Sequence, residues 1–170
     1  MLGVVAIAFV LAVVGLKSVI VVPADAVYVV ERLGRYHRTI RSGMHVLTPF
    51  LDRIAFRYTL KPKDAQLTDR CITRDNIPVS VTSSFRWEVV DPQAAAYNSA
   101  NVAHFVVELI RSRQRQWIGE RAWNDVRENT RDLQKAVLSA IAEPVAHAGV
   151  KISDMRVDEI TSGAPASRAG

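Results

Sequence analysis

The sequence contains a single cysteine, Cys71. One thiol cannot form a disulfide within one chain, and it cannot supply a Cys-x-x-Cys metal or redox site. A reactive thiol also needs a nearby base and a cleft, so we expect Cys71 to be a small buried hydrophobic residue. The Gly-x-Ser-x-Gly, His-Glu-x-x-His and Walker phosphate-loop motifs are absent from the sequence as well.

The titratable residues offer little further chemistry. His104 and Glu108 have the spacing of two ligands on one helix face, but a metal site needs at least a third ligand, and a surface contact explains the pair better. Asp154 and Asp158 share a face of a predicted strand and are interpreted as surface carboxylates. The sequence therefore predicts no enzyme, no metal site and no cofactor.

One helical stretch is strongly polar, since Arg111, Arg113 and Arg115 alternate with Gln114 and Gln116. Such a patch is usually a solvated or subunit-contacting face of a helix. The sequence has no recognisable nucleic-acid-binding motif, so we predict no nucleic-acid partner.

The longest apolar run is at the N-terminus. No charged residue lies between Leu2 and Leu16, and the run continues after Lys17 and Ser18 to Val22. At about 1.5 Å per residue, a helix of this length crosses a hydrocarbon core of roughly 30 Å, and a lysine near one end can reach the headgroups. We predict a membrane anchor helix over residues 1–22.

Two alternatives compete with the anchor. A signal peptide would use the same run, and Ala24-Asp25-Ala26 resembles a cleavage site, which would make the mature chain an exported soluble enzyme or binding protein. However, no Lys or Arg precedes the run, and the run exceeds the usual length of a signal-peptide core. A buried core helix is the other alternative, although a run this long at a terminus rarely enters a soluble core.

The formal net charge of +5 is concentrated just after the anchor. Positive charge beside a membrane segment tends to stay on the cytoplasmic side, so we predict a single-pass N-terminal anchor with the domain facing the cytoplasm. Each basic residue near an anionic leaflet contributes about 1 kcal/mol of attraction. A strand edge carrying arginines for solubility is the alternative. The basic residues of this stretch are Arg32, Arg35, Arg38, Arg41, Arg53, Arg57, Lys61 and Lys63, against Asp25, Glu31 and Asp52.

An apolar cluster around Pro49 lies inside the basic stretch. It is either part of the core or a loop that enters the headgroup region beside the anchor. We combine it with the nearest arginines into one predicted membrane-surface site. The site residues are Arg32, Arg35, Arg38, Arg41, Leu47, Phe50 and Leu51.

The order of predicted elements is strands, then helices, then a returning strand. Alternation from Val79 to Trp87 predicts a central strand, and Asp91-Pro92 begins the helical part. Pro144 should kink or end the last helix at about Glu143. This order predicts an α+β fold, with a mixed or antiparallel sheet and helices packed on one side, over residues 23–161. Residues 162–170 are predicted to be a disordered tail.

Several segments together resemble the SPFH or band 7 family, which contains stomatins, prohibitins and flotillins. The resemblance covers roughly Pro23 to Ile160 and is strongest to the stomatin-like slipins. The segments are Val29-Val-Glu-Arg-Leu-Gly-Arg-Tyr-His-Arg, Ser42-Gly-Met-His-Val-Leu-Thr-Pro-Phe-Leu-Asp-Arg, Ile72-Thr-Arg-Asp-Asn-Ile-Pro-Val-Ser-Val, Asp91-Pro92 with Tyr97, and Gly149-Val-Lys-Ile.

The resemblance implies a non-enzymatic membrane scaffold that forms homo-oligomers and organises or regulates membrane proteins or proteases. It also implies membrane lipids as partners and a membrane partner of the NfeD type. Members of the family continue from this domain into a long charged helix that carries much of the assembly. The sequence ends at Gly170, where that helix would begin. We therefore expect either a truncated or degenerate member of the family, or a member that assembles weakly through the globular domain alone.

Overall fold

The computed structural model describes residues 18–98 and 101–163. The chain divides into two compact units, unit 1 (Met1–Lys61) and unit 2 (Pro62–Gly170). The single domain predicted over residues 23–161 is thus shared between the two units.

The described part of unit 1, residues 18–61, contains short strands in two sheets. A two-stranded antiparallel sheet has the order β1-β4, and a three-stranded antiparallel sheet has the order β3-β2-β5. The core between them contains Val22, Val30 and Ile40, with Ile20 and Leu47 packed against it. The strands are β1 (Val19–Val22), β2 (Ala26–Arg32), β3 (Arg35–Ile40), β4 (Gly43–Val46) and β5 (Asp52–Thr59).

Strand β1 corrects the predicted anchor boundary. Val19–Val22 forms a strand paired with β4 rather than the end of a helix. Its residues alternate between the surface (Val19 and Val21) and the core side (Ile20 and Val22), and β-branched residues favour this extended arrangement. The rest of the predicted anchor, residues 1–17, lies outside the described residues. None of the helices within 18–98 and 101–163 combines the length and hydropathy that a membrane-spanning helix needs.

Within residues 62–98 and 101–163, unit 2 contains an antiparallel sheet of order β6-β7-β8 and four helices. The predicted central strand is confirmed, since β7 pairs with both neighbours and buries Val79, Val81 and Phe85 on one face. The predicted α+β class is also confirmed. The elements are β6 (Lys63–Ile72), β7 (Pro78–Val89), α1 (Pro92–Tyr97), α2 (Val102–Gly119), α3 (Trp123–Glu128), α4 (Thr130–His147) and β8 (Val150–Ser162).

Helices α2 and α4 pack on each other, and they contact β6 and β8 respectively. Each presents an apolar stripe at helical spacing to the sheet, which is why these segments are helical here. Asp91 and Asn101 cap α1 and α2 through their side chains, as their sequence positions predict.

Of the two outcomes predicted for Pro144, a kink or an end of the helix at about Glu143, the end is wrong. Helix α4 continues through Pro144 to His147. A proline in the last turn removes only one helical hydrogen bond, and burial of Ile141 and Val145 on the same face favours continuation. The helix ends at His147, and Gly149, two residues later, has a φ of +68° that suits glycine.

The C-terminal boundary also differs slightly from the prediction. Strand β8 includes Ser162, the first residue of the predicted tail, because its pairing with β7 extends to Val79. Residues 164–170 lie outside the described residues.

Candidate functional site

The turn that connects β4 to β5 is closed by one carboxylate. Asp52 Oδ2 accepts a hydrogen bond from the Thr48 backbone N–H at 2.8 Å. The backbone N–H groups of Leu51 and Asp52 donate to the Thr48 carbonyl oxygen at 3.3 and 2.9 Å. Aspartate suits this position because its short side chain can bond to nearby backbone groups and stabilise a turn.

Arg32, at the end of β2, fixes this carboxylate from the other side. Its Nε donates to Asp52 Oδ1 at 2.7 Å, its Nη2 donates to Oδ2 at 3.1 Å, and Nη2 also reaches Thr48 Oγ1 at 3.3 Å. The Asp52 side chain is only 1% exposed. The Arg32 hydrogen bonds hold the pKa of Asp52 well below its usual range, against the opposing effect of burial. Arg32 is therefore part of the support of this turn.

The turn presents Phe50 to solvent. The Phe50 side chain is 94% exposed, and its φ of +69° lies in the left-handed region. A bulky residue in this conformation costs roughly 1–2 kcal/mol, and exposure of the ring to water adds an unfavourable contribution. Strained, exposed aromatic residues of this kind mark candidate functional positions.

A second exposed apolar residue lies next to this turn. Leu33 is 77% exposed with a φ of +52°, in the tight β2–β3 turn that it forms with Gly34. Its backbone N–H donates to the Leu51 carbonyl oxygen at 3.2 Å. The two turns therefore bring three exposed apolar side chains together, which we name the Phe50 cluster: Leu33, Phe50 and Leu51.

The two-stranded sheet adds another exposed apolar surface. Its register places Val19 opposite Val46 and Val21 opposite Met44. Met44 is 73% exposed and Val21 is 68% exposed, whereas Val22, the next residue of β1, is buried in the core. We name the exposed side of this sheet the outer face of β1–β4; its residues are Val19, Val21, Met44 and Val46.

The predicted arginines have different surroundings. Arg38 Nη2 donates to the Val46 carbonyl oxygen at 2.6 Å, so its guanidinium lies at the edge of the outer face of β1–β4. Arg35 and Arg41 are exposed, and the Arg41 carbonyl is 2.7 Å from His45 Nε2. Arg57 lies over the Tyr28 ring, 5.3 Å from its centroid. Arg38 therefore lies beside an apolar surface, whereas Arg32 forms an ion pair with Asp52.

Of the apolar residues in the predicted site, Phe50 and Leu51 belong to the Phe50 cluster. Leu47 instead packs against the core of unit 1 and is half-buried. Leu33 and the outer face of β1–β4 were not predicted from the sequence. Alternation in Val19–Val22 could have indicated a half-exposed strand, but the continuous apolar run concealed it.

The polar patch predicted on α2 is only partly a surface. Gln114 is fully buried and donates through Nε2 to Ser83 Oγ at 2.5 Å. Arg115 donates to both carboxylate oxygens of the buried Asp69 at 2.6 and 2.7 Å, and Arg111 lies 3.5 Å from the same carboxylate. These contacts hold α2 against β6, which sequence spacing alone could not show.

The other candidates for chemistry have ordinary surroundings. Cys71 is buried, and burial, reinforced by the nearby Asp69 charge, raises its thiol pKa to about 11. Glu108 pairs with Arg111 rather than with His104. Within residues 18–98 and 101–163, no group of three or more His, Cys, Asp or Glu side chains is arranged to hold a metal ion.

Comparison with known proteins covers nearly the whole described region. The sequence is 26% identical to human stomatin-like protein 2, mitochondrial, over 143 residues, which are 84% of this chain and 40% of that protein. It is 28% identical over 144 residues to an uncharacterised protein of Schizosaccharomyces pombe, covering 81% of this chain and 41% of the relative. It is 34% identical over 104 residues to an uncharacterised protein of Mycobacterium tuberculosis, covering 61% and 27%.

The chain therefore spans about two fifths of the length of the stomatin-like relatives that it matches. The model of the SPFH domain / Band 7 family matches residues 20–167, which include the Phe50 cluster, the outer face of β1–β4 apart from Val19, and the whole sheet of unit 2. The resemblance seen in the sequence is thereby confirmed, and the chain belongs to the SPFH domain / Band 7 family.

Proposed function

We propose that this chain is a subunit of a membrane-associated scaffold and that unit 1 contacts the lipid. The observation that carries the proposal is the Phe50 cluster, in which strained turns present large apolar side chains to solvent. Exposed leucines and valines are common singly, but two grouped apolar surfaces within one small unit are characteristic of an interaction site.

Transfer of the cluster into lipid is energetically favourable. Full burial of one Leu or Phe side chain contributes about 1.5–3 kcal/mol, and both Leu33 and Phe50 are largely exposed before contact. The Arg32–Asp52 pair fixes the turn beforehand, so little conformational entropy is lost on binding. The outer face of β1–β4 supplies further apolar area.

The arginines of unit 1 favour an anionic lipid surface over a neutral one. Arg35, Arg41 and Arg53 are exposed, and Arg38 borders the outer face of β1–β4. Basic residues close to an anionic leaflet contribute about 1 kcal/mol each and lose this attraction beyond a Debye length. Binding should therefore weaken with salt while keeping an apolar component that does not.

The wider role follows from family membership. We propose that the chain forms homo-oligomers on the membrane and organises or regulates membrane proteins, with an NfeD-type protein or a membrane protease as partner. The domain is proposed to face the cytoplasm, with residues 1–22 contributing an N-terminal anchor up to the start of β1. Carbonate extraction, combined with protease accessibility in intact and opened cells, tests the anchor and the sidedness together.

The lipid contact of unit 1 is tested with a polarity-sensitive dye on the full chain. In a Cys71→Ser background, Phe50→Cys carries the dye, and the protein is mixed with vesicles of phosphatidylcholine and phosphatidylserine. We expect blue-shifted emission and quenching by lipids that carry a quencher in their acyl chains.

Ile72→Cys provides the matched control, because Ile72 is an exposed apolar residue of unit 2. The dye at position 72 should show neither a blue shift nor quenching by the acyl-chain quencher. The proposal would be overturned if the protein bound vesicles but the dye at position 50 showed neither a blue shift nor quenching. Residues 1–17 would then be sufficient for attachment.

A further inference from the structure

Strand β6 is one edge of the sheet of unit 2. It pairs with β7 on one side, and within the part of the chain that the structure describes no strand pairs with its other side. The pairing with β7 is regular from Lys63 to Ile72, without a register shift. An unpaired edge of this length is a template for another strand.

The opposite edge of the same sheet differs. Strand β8 pairs with β7 with two register shifts, beside Thr82/Ser83 and beside Arg86/Trp87. Bulges of this kind twist an edge and discourage strand addition. Strand β6 has no bulge and no proline between Lys63 and Ile72. Two charged residues lie on its inner face. Asp69 pairs with Arg111 and Arg115, and the Lys63 ammonium lies over the Trp87 ring, 5.4 Å from its centroid.

The backbone groups available on the open edge can be assigned. Thr73 N–H donates to the Ile77 carbonyl oxygen at 3.1 Å, and Pro78, which has no N–H, lies opposite Ile72. Hydrogen-bonded and non-hydrogen-bonded pairs alternate in an antiparallel ladder. The residues of β6 that turn their N–H and C=O groups to the open edge are therefore Asp64, Gln66, Thr68, Arg70 and Ile72.

We propose that two copies of this chain pair antiparallel through β6, with Asp64 of each copy opposite Arg70 of the other. In this register Gln66 lies opposite Thr68, so the residues with outward-facing backbone groups meet each other and exchange hydrogen bonds. Their side chains share the exposed face of the sheet. Shifting the register by two residues in either direction removes the opposite-charge pairs.

The charges support this register. Arg70 is exposed, and Asp64 is paired on its own sheet with Arg86 but remains 72% exposed, so it can accept a second cation. Opposite charges directly across an antiparallel pair are favourable, and like charges are unfavourable. The inference deepens the self-assembly part of the proposed function and rests on it, whereas vesicle binding by unit 1 is measured separately and can fail alone.

The first test is the size of the full chain in mild detergent at several concentrations, by sedimentation velocity. Arg70→Glu should raise the dimer dissociation constant about tenfold, because it replaces two attractive pairs by two repulsive ones. Combining Arg70→Glu with Asp64→Lys restores opposite charges and should recover most of the affinity.

Arg74→Glu is the matched control, since Arg74 is exposed in the β6–β7 turn and undergoes the same change of charge outside β6. It should leave the dissociation constant unchanged. Equal weakening by Arg70→Glu and Arg74→Glu, or no recovery in the double variant while circular dichroism shows a folded chain, would overturn the proposal.

A disulfide test examines the register itself. In a Cys71→Ser background, Gln66→Cys combined with Thr68→Cys should give an oxidised dimer at least several times faster than Thr68→Cys alone. The reverse order of rates would contradict the proposed register, because it would place Thr68 opposite itself. A chain that stays monomeric at every concentration refutes the pairing, whatever the vesicle result.

Discussion

Replacing Asp52 by asparagine should loosen the turn that supports Phe50. The change keeps the size of the side chain but removes its charge. The charged carboxylate of Asp52 accepts hydrogen bonds from Arg32 and from the Thr48 backbone. Hydrogen bonds to a charged group contribute about 1.5–3 kcal/mol. Because the Arg32 side chain is 40% exposed and can return to water, we take the lower part of this range, about 1.5–2 kcal/mol.

Hydrogen exchange of the backbone amides measures this loss locally. If opening of the turn becomes easier by about 1.5–2 kcal/mol, the amides of Thr48 and Asp52 should exchange about 10- to 30-fold faster. Tryptophan fluorescence would be insensitive, since Trp87, Trp117 and Trp123 all lie in unit 2. Vesicle affinity should fall with the same variant, because the Phe50 cluster is no longer fixed before contact.

Asp64→Asn is the matched control. Asp64 forms a two-pronged pair with Arg86 at the same 2.7 and 3.1 Å, but its carboxylate is 72% exposed. At a concentration at which the chain is monomeric, exchange near Asp64 should barely change, since exposed ion pairs contribute little. Similar acceleration in both variants would refute the reasoning, because burial of the carboxylate would then be irrelevant.

The same pair predicts a dependence on pH. The pKa of Asp52 is lowered in the folded chain, so the carboxylate contributes its full stabilisation above the unfolded value of about 3.9. This contribution is lost as the pH falls below about 4 towards the lower folded pKa. Protection of the Thr48 amide, corrected for intrinsic exchange, should be constant above that point and decline below it, and the decline should be absent in Asp52→Asn.

Four further predictions concern single residues. Phe50→Gly should stabilise unit 1 by about 0.5–1 kcal/mol in hydrogen exchange, because relief of left-handed strain exceeds the added entropy of the unfolded chain, while vesicle binding weakens; a destabilised variant would contradict the assigned strain. Gly149→Ala should destabilise unit 2 by about 3 kcal/mol or more in urea unfolding followed by tryptophan fluorescence, since its Cβ would lie 2.2 Å from the Asp91 carbonyl oxygen. Gly34→Ala, which has no atom within 4 Å of the added Cβ, should cost only about 1 kcal/mol in hydrogen exchange. Cys71 should react with a thiol reagent at pH 8 far more slowly in the native chain than in urea, because it is buried and its pKa is raised to about 11; equal rates would show that the site is open.

The sequence was most informative where local pattern and tertiary environment agree. Alternation from Val79 to Trp87 predicted the central strand because one face of β7 is buried under helices. The caps at Asp91 and Asn101 were predictable because they depend on side chains and amides only two or three residues apart.

Features that depend on distant partners were not predictable. Val19–Val22 continues an apolar run, and only its pairing with Gly43–Val46 makes it a strand. Burial of Gln114 depends on Ser83, and the place of Arg115 depends on Asp69. Within the predicted site, Phe50 and Leu51 were identified from composition. Leu33 lies beside them only because its backbone N–H donates a hydrogen bond to the Leu51 carbonyl oxygen in the other turn.

The position of β8 has a consequence for synthesis of the chain. The strands of unit 1 all lie between Val19 and Thr59, so their pairing requires no later segment. Strand β7 instead pairs with β8, which follows it in the sequence after four helices. Val79, for example, pairs with Ser162. Long-range pairing of this kind is slow, and the apolar face of β7 stays uncovered until the helices and β8 have been translated. We therefore expect the half that carries the Phe50 cluster to be completed on the ribosome first, with unit 2 as the half that depends on chaperones.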